Sequence, residues 1–254
     1  MMATFVLVHG AFTGGWYWSR VRPALEAAGH AVWTPTLTGS GERVHLQARS
    51  VTLATHVEDI VNVLRFEDLR DVVLVGHSYG GMVITGVADR APERLARLVY
   101  LDAAYPAPGQ NAAGGFASGT GDVLAELAAG DDGAWRLPPL PLAAYGVTDP
   151  HDVAWVGERR VAHAMPTLQE ALHLTRATPP ALPRVYVRCA RRDGLVAMFG
   201  VDPLAPMFER AVADGLAVVT LDAGHDAMVA APQATAEALL AALTAEAGAR
   251  HGAD

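Results

Sequence analysis

Lysine is absent from this chain of 254 residues: all 19 basic side chains are arginine. That excludes Schiff-base catalysis, covalent attachment of pyridoxal phosphate and the lysine of a P-loop. Cysteine occurs once, at Cys189, so no internal disulfide can form. No apolar run approaches the roughly 20 residues that span a bilayer. The chain passes from Met1 directly into the strand-like run Phe5-Val6-Leu7-Val8, without the basic segment and apolar stretch of an export signal. The expectation is a cytoplasmic protein that does not engage membrane. Basic clusters are missing too, and a formal charge of −8 offers nothing that would track a phosphate backbone, which argues against nucleic acid as a partner. The ten histidines are scattered, with no H-E-x-x-H pair and no Cys/His ligand spacing. No metal and no cofactor are expected. A small apolar or neutral ligand fits this balance best; a homodimer is compatible with the sequence, although nothing in it specifies one.

What is present is 51% hydrophobic, enough to bury a large core. Short β-branched runs alternate with helical periodicity: strands at Thr4–His9, Ala31–Thr34, Val72–Val75 and Leu98–Asp102, and helices over about 17–28, 53–66 and 82–90. Gly29 stands where the first helix should stop. The alternation returns at Arg184–Cys189 and Leu216–Leu221 and closes with an alanine-rich helix from Pro232 to Ala247. Strands alternating with helices predict an α/β fold, a mostly parallel central sheet with helices on both faces. Between the two halves, residues 106–183 carry ten of the sixteen prolines, Pro179 among them, and the glycine-rich stretch Gly114 to Gly121. Proline at that density breaks sheets and delimits short helices. The expected organisation is therefore a core of residues 1–105 and 184–254 with a helical cap, 106–183, inserted over the carboxyl end of the sheet, where open α/β folds bind ligands.

The chemistry concentrates where the run Val72-Val73-Leu74-Val75 stops at Gly76-His77-Ser78-Tyr79-Gly80 and a helix begins. A serine on a sharp strand-to-helix turn is a presented nucleophile. Bulky neighbours at 76 and 80 would collide with the adjoining strand and helix, and glycine at both removes the clash. A serine hydroxyl needs a base, and the base needs an orienting group. His225 is the expected base, on the loop after the last strand in Asp222-Ala223-Gly224-His225-Asp226. His9, His77 and the other histidines read as packing or surface residues. For the acid, Asp193 follows the penultimate strand and completes the order Ser…Asp…His. Asp102, just after Leu98–Leu101, is the alternative. The developing oxyanion calls for two backbone donors, expected at Tyr79 and at Ala11 in His9-Gly10-Ala11-Phe12, where Gly10 permits close approach. Phe12, Trp16, Trp135 and Trp155 are the candidates for lining a substrate pocket.

With these residues in view, the chain resembles the α/β-hydrolase superfamily along its whole length. More narrowly, it resembles the compact cofactor-free esterases that include plant methylesterases and hydroxynitrile lyases, with bacterial relatives. The resemblance rests on residues 8–16, residues 35–43, the Ser78 elbow with Gly81-Met82, and residues 224–228. It implies a triad of Ser78, Asp193 and His225 and an oxyanion hole at Ala11 and Tyr79. The lyases of this group carry threonine where Gly10 stands, glutamate at His77 and lysine at Asp226, so the resemblance implies an esterase rather than a lyase. The expected activity is hydrolysis of a small or medium apolar ester, such as a methyl ester or lactone of secondary metabolism, through an acyl-enzyme. A thioesterase, a carbon–carbon hydrolase or a non-hydrolytic cyclase would use the same triad. A ligand-binding protein on a hydrolase scaffold would leave the triad idle.

Overall fold

The computed structural model describes residues 2–130, 133–176 and 180–246, together with the backbone of 250–251. Strands β1 (Thr4–Val8), β2 (Ala31–Trp33), β3 (Val72–His77), β4 (Leu95–Leu101), β7 (Arg184–Cys189), β8 (Ala217–Leu221) and the short β9 (Arg250–His251) form one sheet in the order 2-1-3-4-7-8-9. Every pairing in it is parallel. Because successive side chains of a strand point to opposite faces, the sheet feeds two apolar layers. Val6, Val8 and Leu74 belong to one, and Phe5, Leu7, Val73 and Val75 to the other. β3 is buried along its whole length, as a central parallel strand covered on both faces should be.

After β1 the chain goes outward to the edge strand β2, then returns to the other side of β1 to form β3. The order of connection therefore reverses between β1 and β3. Loops leaving the carboxyl ends of those two strands diverge there and open a crevice. The loop after β1 carries Ala11, and the turn after β3 carries Ser78.

The helix Leu53–Phe66 turns the stripe Leu53, Val57, Ile60, Leu64 inward, and Thr52 and Thr55 cap its start reciprocally. Two expected helices are shorter than their periodicity suggests. Over 17–28 the structure has a 3₁₀ turn, Gly15–Trp18, and then a helix, Arg22–Ala27, with Pro23 in its first turn. Proline is tolerated there but not inside a helix running from residue 17. Gly29 follows at φ +87°, the left-handed stop anticipated for it. The last helix covers Pro232–Ala241; its expected end at Ala247 lies outside the described residues, as does Pro179.

Residues 106–183 are not purely helical. Short helices at Ala112–Gly115, Thr120–Ala128, Pro150–Gly157 and Met165–Gln169 are joined by an antiparallel pair, β5 (Arg136–Leu137) with β6 (His163–Ala164). Pro138 and Pro139 follow β5 at once and stop it at two residues, since proline supplies no ladder donor. Leu137, Leu140 and Leu168 join the same apolar layer as Leu74. Among the described residues no helix is long and apolar enough to cross a membrane.

Candidate active site

Ser78 sits at φ +54°, in the left-handed region that a residue with a side chain adopts only when its surroundings compel it. They do so through hydrogen bonds: its amide donates to Leu101 O, and its carbonyl accepts from Gly81 N and Ala104 N. A Cβ at residue 76 would lie 2.6 Å from Gly80 O, and one at residue 80 would lie 2.9 Å from the carbonyl oxygens of Val8 and His9. Glycine at these two positions is thus a packing requirement of the turn. At Gly10 the same test gives 2.9 Å to the Ser78 Cβ, the close approach foreseen for the β1 loop.

The Ser78 Oγ is 3.0 Å from His225 Nε2. On the other side of the ring, His225 Nδ1 is 2.6 Å from Asp102 Oδ2. The acid on the imidazole is therefore Asp102, and the expectation of Asp193 is corrected. Asp193 is exposed, at the start of the helix Asp193–Phe199. Its neighbour Arg192 turns inward instead, donating from Nη1 to Asp102 Oδ2 at 2.5 Å and from Nη2 to Asp202 Oδ1 at 2.6 Å. Arg188 pairs with both Asp102 and Asp202. Burial alone would raise the Asp102 carboxyl. The hydrogen bond and charge of His225, together with Arg192 and Arg188, overcome that and hold it well below the usual carboxylate range. An ionised Asp102 that accepts from Nδ1–H leaves Nε2 free to accept the serine proton.

Among the described residues the amides of Ala11 and Tyr79 donate to no protein acceptor, and both residues line the crevice beside Ser78. His9 fixes the first of these loops: its Nδ1–H donates to Gly10 O at 2.8 Å and its Nε2 accepts from Leu37 N at 3.1 Å. Full burial lowers it to about 4, so the neutral ring is the form that packs. His77 is buried against the His225 ring and donates from Nε2 to His225 O. Its pKa is pushed well below the ordinary histidine value, mainly by burial. His77, His225 and Asp226 form one cluster of metal-ligating types among the described residues. Both nitrogens of His225 are already engaged, and Asp226 Oδ2 accepts from the Tyr17 hydroxyl.

Two lobes meet at Ser78. The larger, about 540 Å³ with its mouth, is walled by Phe12, Phe116, Leu124, Leu137, Leu168 and Phe199 among others. The smaller, about 280 Å³, is lined by Thr13, Tyr17, His77, Arg160 and Asp226. Ala11, Phe12, Tyr145 and His225 border both. Phe12 thus lines the site as expected, but the three tryptophans do not. Trp16 and Trp155 pack edge to face with centroids 5.2 Å apart, and the Arg20 guanidinium covers Trp155. Trp135 lies beside the guanidinium groups of Arg49 and Arg136. Sequence reasoning missed Tyr145 and the stretch 195–204, which closes the larger lobe from outside the inserted segment; the apolar spacing Leu195, Phe199, Leu204 was its available signal.

Residues 5–238 match the model of the family described as "Alpha/beta hydrolase family". The chain is 39% identical over 251 residues to the carbendazim hydrolyzing esterase of Nocardioides sp. (strain SG-4G), covering 94% of this chain and 99% of that one. It is 37% identical over 103 residues to salicylic acid-binding protein 2 of Nicotiana tabacum, a match to 40% of each chain. Among solved structures, it shares the fold of an extracellular alpha/beta-hydrolase from a Paenibacillus species, with a TM-score of 0.80, 24% identity, and coverage of 94% of this chain and 98% of that one.

Proposed function

This chain belongs to the alpha/beta hydrolase family, and we propose that it is an esterase, specifically a serine hydrolase of carboxylic esters with a small to medium apolar acyl group. The observation that carries this reading is the unbroken path from Asp102 through His225 to Ser78, with steps of 2.6 and 3.0 Å, in a crevice also lined by Ala11 and Tyr79, whose amides donate to no acceptor among the described residues. Ser78 Oγ attacks the ester carbonyl while His225 Nε2 takes its proton. Asp102 holds the ring in the required tautomer and stabilises the imidazolium. The carbonyl oxygen becomes an oxyanion facing the amides of Ala11 and Tyr79, each worth about 3 kcal/mol at the transition state. His225 then gives the proton to the leaving alcohol, and water hydrolyses the acyl-enzyme. The full-length relative named as an esterase supports the same reading.

The apolar walls of the larger lobe, Phe116, Leu124, Leu137, Leu168 and Phe199 among them, support the apolar acyl group. The direct test is intact-mass analysis after a fluorophosphonate, with a panel of oxygen esters and thioesters assayed alongside. One adduct, lost in Ser78→Ala, with turnover of oxygen esters, is the expected result. Labelling with turnover confined to thioesters points to a thioesterase instead, and no adduct at all leaves a ligand-binding protein.

A further inference from the structure

The smaller lobe differs in chemistry from the larger. Asp226 is 5% exposed, and its Oδ2 accepts a 2.5 Å hydrogen bond from the Tyr17 hydroxyl. Its Oδ1 accepts none among the described residues: His77 Nε2 stands 3.8 Å away and is committed to His225 O. Across the lobe, Arg160 Nη1 donates to Leu140 O at 2.6 Å, while its Nε is buried without a partner. The Tyr145 hydroxyl has no hydrogen-bond partner among the described residues either, and its ring lies 5.3 Å from that of His225. Asp226, Arg160 and Tyr145 thus all line one small space, and an oxygen, an N–H and a hydroxyl among them lack a partner among the described residues. Leaving such groups unpaired carries a desolvation penalty, and a water molecule making two to four hydrogen bonds relieves it.

The lobe also opens onto the right atoms. It borders both Ser78 and His225, and the rest of its lining is more polar than that of the larger lobe. Water must approach the acyl carbon next to His225 Nε2, where the alcohol has just departed, because that nitrogen receives its proton.

We propose that the smaller lobe seats the deacylating water, with Asp226, Tyr145 and Arg160 as its positioning residues; this rests on the acyl-enzyme reading above. The water oxygen bonds to the acyl carbon, one of its protons passes to His225 Nε2, and the carbonyl pair moves onto the oxygen facing Ala11 and Tyr79. Collapse breaks the bond from carbon to Ser78 Oγ, which recovers the proton from His225, and the free acid leaves.

The test separates the two half-reactions in Asp226→Asn and Tyr145→Phe, using p-nitrophenyl butyrate. Acylation is read as first-turnover p-nitrophenol release with enzyme in excess, and deacylation as decay of the acyl-enzyme mass. Expected in both variants is a fall of at least tenfold in the ratio of the deacylation rate to the acylation rate. If acylation slows in step, these residues merely support His225 or hold the alcohol, and the proposal is overturned. Unchanged deacylation overturns it as well. If the wild-type protein forms no acyl-enzyme at all, the ester-hydrolase reading itself has failed. Tyr145 is only half-buried, so its variant keeps the test decisive should Asp226→Asn not fold.

Discussion

Arg192 Nη1 and His225 Nδ1 meet the same oxygen, Oδ2 of Asp102, at 2.5 and 2.6 Å. The carboxylate on the imidazole is thereby held as well by a cation that also binds Asp202. A buried charge with one partner removed is costly, about 3–5 kcal/mol. Arg192→Met should lower unfolding stability at pH 7 by about 3 kcal/mol in a urea titration while reducing kcat less than tenfold. Unchanged stability would show that the network contributes nothing to holding Asp102.

The two acids can be separated directly. Asp102→Asn should lower kcat for an activated ester by about three to four orders of magnitude, because the imidazole loses its orienting anion. Asp193→Asn should stay within about twofold of wild type. A large loss at residue 193 would contradict the geometry.

Four histidines, His9, His56, His77 and His163, are held below their ordinary pKa chiefly by burial. The unfolded chain takes up protons at these positions near pH 6.5, whereas the folded chain resists; His9 does so down to about 4. Stability is therefore complete above about pH 7 and falls as pH drops through this window, by up to about 1.4 kcal/mol per pH unit for each histidine. Tm measured from pH 7.5 to 5 should decline steadily, well before carboxylates titrate. A flat profile would mean the rings are not buried neutral.

Gly81 backs the elbow so closely that a Cβ there would lie 1.9 Å from Ala104 O. Gly81→Ala should cost about 2–4 kcal/mol, since backbone must move. At Gly157 a Cβ meets nothing within 4 Å, so Gly157→Ala should be neutral or stabilising by up to about 1 kcal/mol. Thermal unfolding of the pair checks both, and equal Tm values would contradict the crowding at residue 81.

The nucleophile turn was legible because its chemistry is local: Gly76, Ser78 and Gly80 are contiguous, and a strand must precede them. The His225 and Ala11 loops were legible as segments following strands. The choice between Asp102 and Asp193 was not, because it depends on strand order. β4 lies directly beside β3, so its C-terminal loop adjoins the elbow, while β7 is one strand further out. Tryptophans drew the eye as pocket residues, yet Trp16 and Trp155 satisfy each other and neighbouring arginines. The two-residue strands β5 and β6 are too short to show an alternating pattern.

With Asp102 as the acid, the hydroxyl, its carboxylate and both loops that would receive the oxyanion belong to the first 102 residues, and the imidazole arrives only at 225. On the proposed mechanism, a chain emerging from the ribosome therefore carries an unarmed serine until 147 further residues have been added. Under that proposal reactivity would begin when β7 and β8 dock alongside β4, which would tie the onset of chemistry to completion of the sheet.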